Sequence, residues 1–318
     1  MTNAVNTAGP AAATSATQRR TGRVLDTIQW IFAGLGVTTA TLLPLTGTNA
    51  IFLTLLLTVP FAAIHGIRRY GWRRFLAFFA VTLVISNAFE NLSIVTGFPF
   101  GNYHYTGGPK LFHVPIFIGP IYFGLGYLSW LTASTVLDRA DEHLDWRERT
   151  GKVNVVTLPA LAAAVMTMFD VASDSQAATV LGTWIWHDGG GVFGVPYTNY
   201  LGWWLVTYLF FEPFALILAT AQSRDPRPRI VVAPGSLTQP VLIYAALGLT
   251  SIPYLIAAEP GTVLDMAGTQ WNISAINETM MTINLFTVVT IAFLALTKIA
   301  RGDTATPAQK DPEAPGRR

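Results

Sequence analysis

Apolar residues run along this chain in continuous blocks of about twenty, the length an α-helix needs to cross a hydrocarbon core of roughly 30 Å at about 1.5 Å per residue. The blocks do not alternate, so they lack the period-two pattern of a membrane β-barrel. Runs at 24–44, 49–66, 75–95, 114–137, 153–173, 200–222, 236–257 and 277–299 predict an all-α, polytopic transmembrane bundle of about eight helices. The bundle spans 23–300, with tails at 1–22 and 301–318 whose Ala, Thr, Pro and charge content predicts disorder. No internal repeat accompanies the runs, so an inverted-repeat transporter has no positive support.

The polar positions between the runs give an orientation. Arg68, Arg69, Arg73 and Arg74 follow the second run, Arg139, Arg147, Arg149 and Lys152 the fourth, and Arg224, Arg227 and Arg229 the sixth; outside these and the tails only Lys110 falls on the other side. An excess of Lys and Arg marks cytoplasmic loops, so both termini are expected in the cytoplasm of a multi-pass cell-membrane protein. The long connections 96–113 and 175–199 then emerge together on the opposite face. Loops of this length without regular structure are usually functional.

Composition sharpens this reading. Of 318 residues, 51% are hydrophobic and only 12% charged, against roughly 25% charged in a soluble domain. The absence of cysteine excludes a disulfide framework, a thiolate metal site and a cysteine nucleophile. A GxSxG elbow, a phosphate loop and an HExxH metal motif are missing, no GxGxxG follows a predicted strand, and the run Gly189, Gly190, Gly191 reads as a flexible hairpin. The aspartate-rich DDxxD pattern of prenyl diphosphate enzymes is missing too. No cofactor and no nucleic-acid partner is expected.

Candidate chemistry gathers where the third and fifth runs end. Asn87, Glu90 and Asn91 share one helical face. Beyond them a Gly/Pro-punctuated loop carries Tyr103, His104 and Tyr105, and then His113. The second stretch places Asp170 and Asp174 one helical turn apart, followed by Trp184, Trp186, His187, Asn199 and Trp203. Glu90 and Asp170 both lie a few residues inside the end of a run, at similar depth, which predicts one pocket. Carboxyl groups inside a membrane are costly enough to read as functional. Glu212, directly before Pro213, fits a structural or a substrate-lining role. His104, His113 and His187 fall on one side but form no ligand cluster, so no metal is assigned. His65, Trp72 and Tyr244 read as residues of the membrane interface.

These stretches resemble a family. ENLSIVTGFPFGNYHYT, GPKLFHVPIFIG and FDVASDSQAATVLGTWIWHDGGGVFGVPYTNYLGWW are similar to the membrane carotenoid biosynthesis proteins that include the CruF-type carotenoid hydratases and the bisanhydrobacterioruberin hydratases. The shared elements are Glu90, the loop Gly97 to Tyr105, Val114 and Pro115, Asp170 and Asp174, Trp184 and Trp186, and Gly194 to Trp203. Ser175 departs from the pattern, standing where a proline is expected.

The resemblance implies addition of water to the terminal C=C of an acyclic carotenoid, lycopene-like or fifty-carbon, dissolved in the bilayer lipids. The residues suit that chemistry. Protonating an alkene needs a carboxylic acid that keeps its proton, which burial favours, and aromatic faces stabilise the resulting tertiary cation. The catalytic group is expected to comprise Asp170, Glu90, Asp174, His104 and Asn199, with Asp170 favoured as proton donor. Substrate contacts are expected from Asn87, Asn91, Tyr103, Tyr105 and His113, and from Trp184, Trp186, His187, Trp203 and Glu212. A cyclase or isomerase of carotenoid ends, and a proton-coupled transporter or lipid-binding protein, are the alternatives.

Overall fold

The computed structural model describes residues 10–46, 51–224, 236–257 and 260–302. Helix α4 (Ile118–Val136) is the axis, and all of its residues except Pro120 and Val136 are buried. Around it stand α2 (Ile51–Tyr70), α3 (Trp72–Thr96), α5 (Arg149–Val171), α7 (Thr238–Gly248) and α10 (Thr290–Ala300). Helix α6 (Tyr197–Arg224) packs on α5 and α3, and α1 (Pro10–Thr41) on α2 and α7. Two glycines of α4 set its spacing. A side chain at Gly124 would overlap Thr58 of α2, and one at Gly119 would overlap Asn87 of α3, so small residues let the helices approach closely.

The eight expected rods are present, and two of them are composite. The seventh is α7 joined to the short α8 (Ser251–Ala257), and the eighth is α9 (Ile273–Asn284), a π-helical turn at Leu285–Val289, and α10. All but α1 and α4 are long and apolar enough to cross a membrane. Helix α4 is enclosed by the other helices, and its Ser129, Thr132, Ser134 and Thr135 are fully buried. Helix α1 starts at Pro10, well ahead of the expected 24, so the tail predicted over 1–22 is helical from Pro10 onward. Residues 1–9 and 303–318, and Arg227 and Arg229, lie outside the described residues.

At one end of the bundle the connections form three antiparallel two-stranded ribbons. Strand β1 (Tyr103–Tyr105) pairs with β4 (Trp184–Trp186), β2 (Lys110–Leu111) with β3 (Val114–Pro115), and β5 (Thr262–Leu264) with β6 (Gln270–Asn272). The other end holds the Gly71 turn between α2 and α3 and a buried ion cluster. There Arg69 makes two hydrogen bonds to Asp141, Nε to Oδ2 at 2.7 Å and Nη2 to Oδ1 at 2.9 Å, and a third to Glu142 at 2.7 Å. Trp130 of α4 donates to the Tyr70 hydroxyl at 3.0 Å, and that hydroxyl donates to Asp141 at 2.5 Å. Lys298 of α10 reaches the same end, donating to the Val136 carbonyl at 2.6 Å.

Two residues expected at the interface are interior. His65 is buried between the Tyr127 hydroxyl, 2.6 Å away, and the Ser236 carbonyl, 3.0 Å away. Tyr244 is fully buried and donates to the Val165 carbonyl at 2.7 Å. In both cases an internal polar partner replaces the headgroup layer. Trp72, by contrast, is 59% exposed.

Candidate functional site

Helix α3 stops at Gly97, whose φ of 80° closes the helix in the left-handed region that glycine tolerates. The chain turns back beneath it. Ser93 Oγ accepts from the Phe100 amide at 3.2 Å and donates to the Gly101 carbonyl at 3.0 Å, while Thr198 of α6 donates to the Phe100 carbonyl at 2.9 Å. Gly202 completes the seat, since a Cβ there would run into Phe100 and Pro99. The loop thus delivers β1 over the mouth of the bundle, where it pairs with β4 in the register Tyr103↔Trp186 and Tyr105↔Trp184.

Alternation along β1 sorts its side chains. Tyr103 and Tyr105 are buried and point inward, whereas His104 points out. Both inward phenols donate to Glu90, from Tyr103 in a short contact and from Tyr105 at 3.0 Å. A third phenol, Tyr122 of α4, donates to the other oxygen of Glu90 at 2.7 Å and stacks on Trp203 at 4.8 Å between centroids. Burial first, and then the neighbouring Glu90, push the Tyr103 and Tyr105 hydroxyls well above the ordinary phenol range, so both remain protonated donors. Glu90, 3% exposed, is therefore a carboxyl built to accept.

The second pair is partnered differently. Asp170 lies in the last turn of α5 and Asp174 just beyond it, and they share one amide, because Asn199 Nδ2 donates to Asp170 at 2.9 Å and to Asp174 at 2.7 Å. Asp174 also accepts from Trp184 Nε1 at 2.8 Å. Asn199 is the only hydrogen-bond partner of the Asp170 side chain among the described residues. Just beyond, Ser175 donates to the Val192 carbonyl at 2.9 Å, a tether that proline could not make. The backbone then widens into a π-helical turn, Gln176–Val180. Gly190 is closely packed, for a side chain there would meet the Val195 backbone.

Glu90, Asp170, Asp174 and Asn199 line one cavity with Tyr103, Tyr105, Trp184, Trp186 and Trp203. It holds about 990 Å³ of atom-free space, counting its open mouth. Apolar side chains such as Ile121, Leu125 and Phe169 make up much of the wall, and Tyr103 packs on Trp186 at 4.8 Å.

The other predicted residues stand elsewhere. Asn87 fills the gap at Gly119 and donates to the Leu83 carbonyl at 2.9 Å. Asn91 donates to the Asn87 carbonyl at 2.8 Å, and its Oδ1 accepts from the backbone amide of His113, 3.0 Å away. His113 itself is exposed on the connection between β2 and β3. His104 and His187 meet on the outer side of the β1–β4 ribbon with Nδ1 and Nε2 2.7 Å apart. Glu212 lies on α6 beside Tyr208, outside the cavity wall. Helix packing and ribbon alternation, neither visible in the one-dimensional spacing, remove these six from the wall. Tyr122 is the participant that sequence reasoning missed. It sits inside an apolar run, and only the crossing of α3 and α4 brings it to Glu90.

The family model of the carotenoid biosynthesis proteins matches residues 49–268, which include every residue of the cavity wall. The chain belongs to this family. As a carotenoid biosynthesis protein with six helices able to span a membrane, it has a role in making long, bilayer-soluble polyenes, and an apolar cavity floored by carboxyl groups suits an enzyme of such a pathway. No curated protein and no solved structure matches the chain.

Proposed function

We propose that this carotenoid biosynthesis protein is a hydratase that adds water to the terminal C=C of an acyclic carotenoid. The observation that carries the reading is the unequal partnering of its carboxyl groups. Glu90 has three O–H donors, whereas Asp170 has one shared amide and an oxygen left over.

Asp170 is the proton donor in this scheme. Two carboxyl groups bridged by one amide, with no cation among their partners, hold a proton between them, because two full charges at this separation repel strongly in a dry site. The π electrons of the terminal alkene take that proton, a C–H bond forms, and the O–H bond of Asp170 breaks. The tertiary cation faces Trp186 and Tyr103, where desolvated aromatic faces are worth about 2 kcal/mol or more each, and Glu90 supplies a fixed negative counterpart. A water oxygen then bonds to the cation, and the proton it loses returns to the Asp170–Asp174 pair, so the enzyme ends as it began. Asn199 orients the pair throughout.

The cell membrane is the location this reading requires, with the ribbon end on the non-cytoplasmic side, as the Lys and Arg distribution indicates. The test is expression in a lycopene-producing host followed by mass analysis of the pigments. A gain of the mass of water is the expected result. A pigment of unchanged mass but altered retention would replace hydration by end-group cyclisation or isomerisation.

A further inference from the structure

We infer that the cavity is a blind passage entered sideways from the lipid, so that a polyene is threaded end first between α2, α8 and the π-helical turn, and only one of its ends reaches the carboxyl groups in each binding event. The choice of a polyene rests on the proposed function; the passage rests on geometry.

Exposure divides the cavity wall into a closed floor and an open rim. Glu90, Asp170, Tyr122 and Leu125 are 3%, 5%, 2% and 0% exposed, so among the described residues they form a closed floor. Besides Ser173, Trp184 and Trp203, which are part-exposed on the ribbon side and on α6, the part-open members are Phe52 at the start of α2, Ala177 and Leu181 on the π-helical turn and just after it, and Tyr254 on α8. These come from three separate elements that frame one gap. Outside it, Leu53 is 48% and Ile256 72% exposed, an apolar apron continuous with the rim. A charged or water-soluble substrate gains nothing from such an approach, whereas a hydrocarbon chain keeps its apolar contacts from lipid to floor.

The backbone of this rim is irregular. The π-helical turn at Gln176–Val180, the interruption between α7 and α8, and the π-helical turn at Leu285–Val289 lie around it. Asn284 joins them, donating to the Ala172 carbonyl at 3.1 Å and to Ser251 Oγ at 2.5 Å. Broken helices at membrane depth persist where they are buried in protein or line a cavity, and here they open the space that a regular helix would close.

The chain has no cysteine, which permits a direct test. Phe52→Cys, Ala177→Cys and Tyr254→Cys, with Leu181→Cys as a substitute should one fail to fold, are made singly in the full chain. Gly107→Cys on the ribbon end and Leu216→Cys on α6 serve as controls. Each is reacted with a maleimide in lipid nanodiscs with and without lycopene. Several-fold slower labelling at the rim positions, with unchanged controls, is the expected result. Unchanged rim labelling while lycopene is bound or converted would overturn the lateral passage. Rim protection without any gain of water mass would uphold the passage and retire the hydratase reading, so the two fail separately.

Discussion

A carboxyl group surrounded by phenols and one held by a single amide should respond differently to loss of charge. Replacing Asp170 by Asn keeps its shape and removes the transferable proton. Alcohol formation should fall by about 10²–10⁴-fold, the usual worth of a positioned acid, with expression intact; pigment analysis reads the outcome, and full activity would refute the donor assignment. Tyr122→Phe deletes one of the three bonds to Glu90. A hydrogen bond to a charged group contributes about 1.5–3 kcal/mol, so the initial rate should drop measurably and the Tyr105→Phe variant, altered on the same carboxyl, should show a similar loss. Glu90, Asp170, Asp174 and Asn199 were legible in the sequence because a polar group inside an apolar run is costly and calls for a reason. Tyr122 was not, since a tyrosine in such a run packs as readily as it binds. His104 was misplaced for a different reason: strands of three residues separated by about eighty in sequence leave no periodic signal, and it is their pleat that turns the ring outward.

Ribbons and buried ion pairs make elements depend on pH in different parts of the acid range. Slight burial first, and then the neighbouring His187 and Lys110, lower the pKa of His104 below its ordinary 6.5. The neutral ring is thus favoured in the folded ribbon, so the stability it lends is complete above 6.5 and declines as pH falls through that value. Lys110 is the other charged group that acts on His104, and Asp188, next to His187 in the chain, accepts from Asn102 Nδ2 at 2.7 Å. Amide exchange in β1 and β4 should therefore quicken on acidification, and His104→Ala should remove that dependence. At the opposite end, burial opposes the charge of Asp141, but Arg69, Ser134 and Tyr70 outweigh it and hold the carboxyl below its usual range. Its contribution is present above 3.8 and lost as pH falls further. Asp141→Ala leaves Arg69 buried without its main partner and should cost about 3–5 kcal/mol, seen as a lower melting temperature in detergent. The run that became α4 was legible as a helix, but its place as the buried axis was not, because hydropathy alone does not distinguish a lipid-facing helix from one enclosed by others.

For the whole molecule, the remaining question is which end faces the cytoplasm. The fold sends α1 and α10 toward the end that carries the Gly71 turn and the Arg69–Asp141 cluster, as the contacts of Arg68 with Asp26 and of Lys298 with Val136 require. Arg68, Arg73, Arg74, Arg147, Lys152 and Arg224 also belong to that end, whereas Lys110 sits among the ribbons. Many of these cations have acidic neighbours, such as Asp145 beside Arg147, so the net charge difference between the ends is smaller than the cation count. Orientation follows the count of Lys and Arg, to which acidic residues contribute little, and the prediction is therefore unaffected by the pairing. Gly107 and Gly191 have open space around them, and His143 is exposed at the opposite end. In intact cells a membrane-impermeant maleimide should label Gly107→Cys and Gly191→Cys, while His143→Cys should react only after permeabilisation. The reverse pattern would put the carboxyl floor nearer the cytoplasmic leaflet, and the water consumed by the proposed reaction would then have to come from that side.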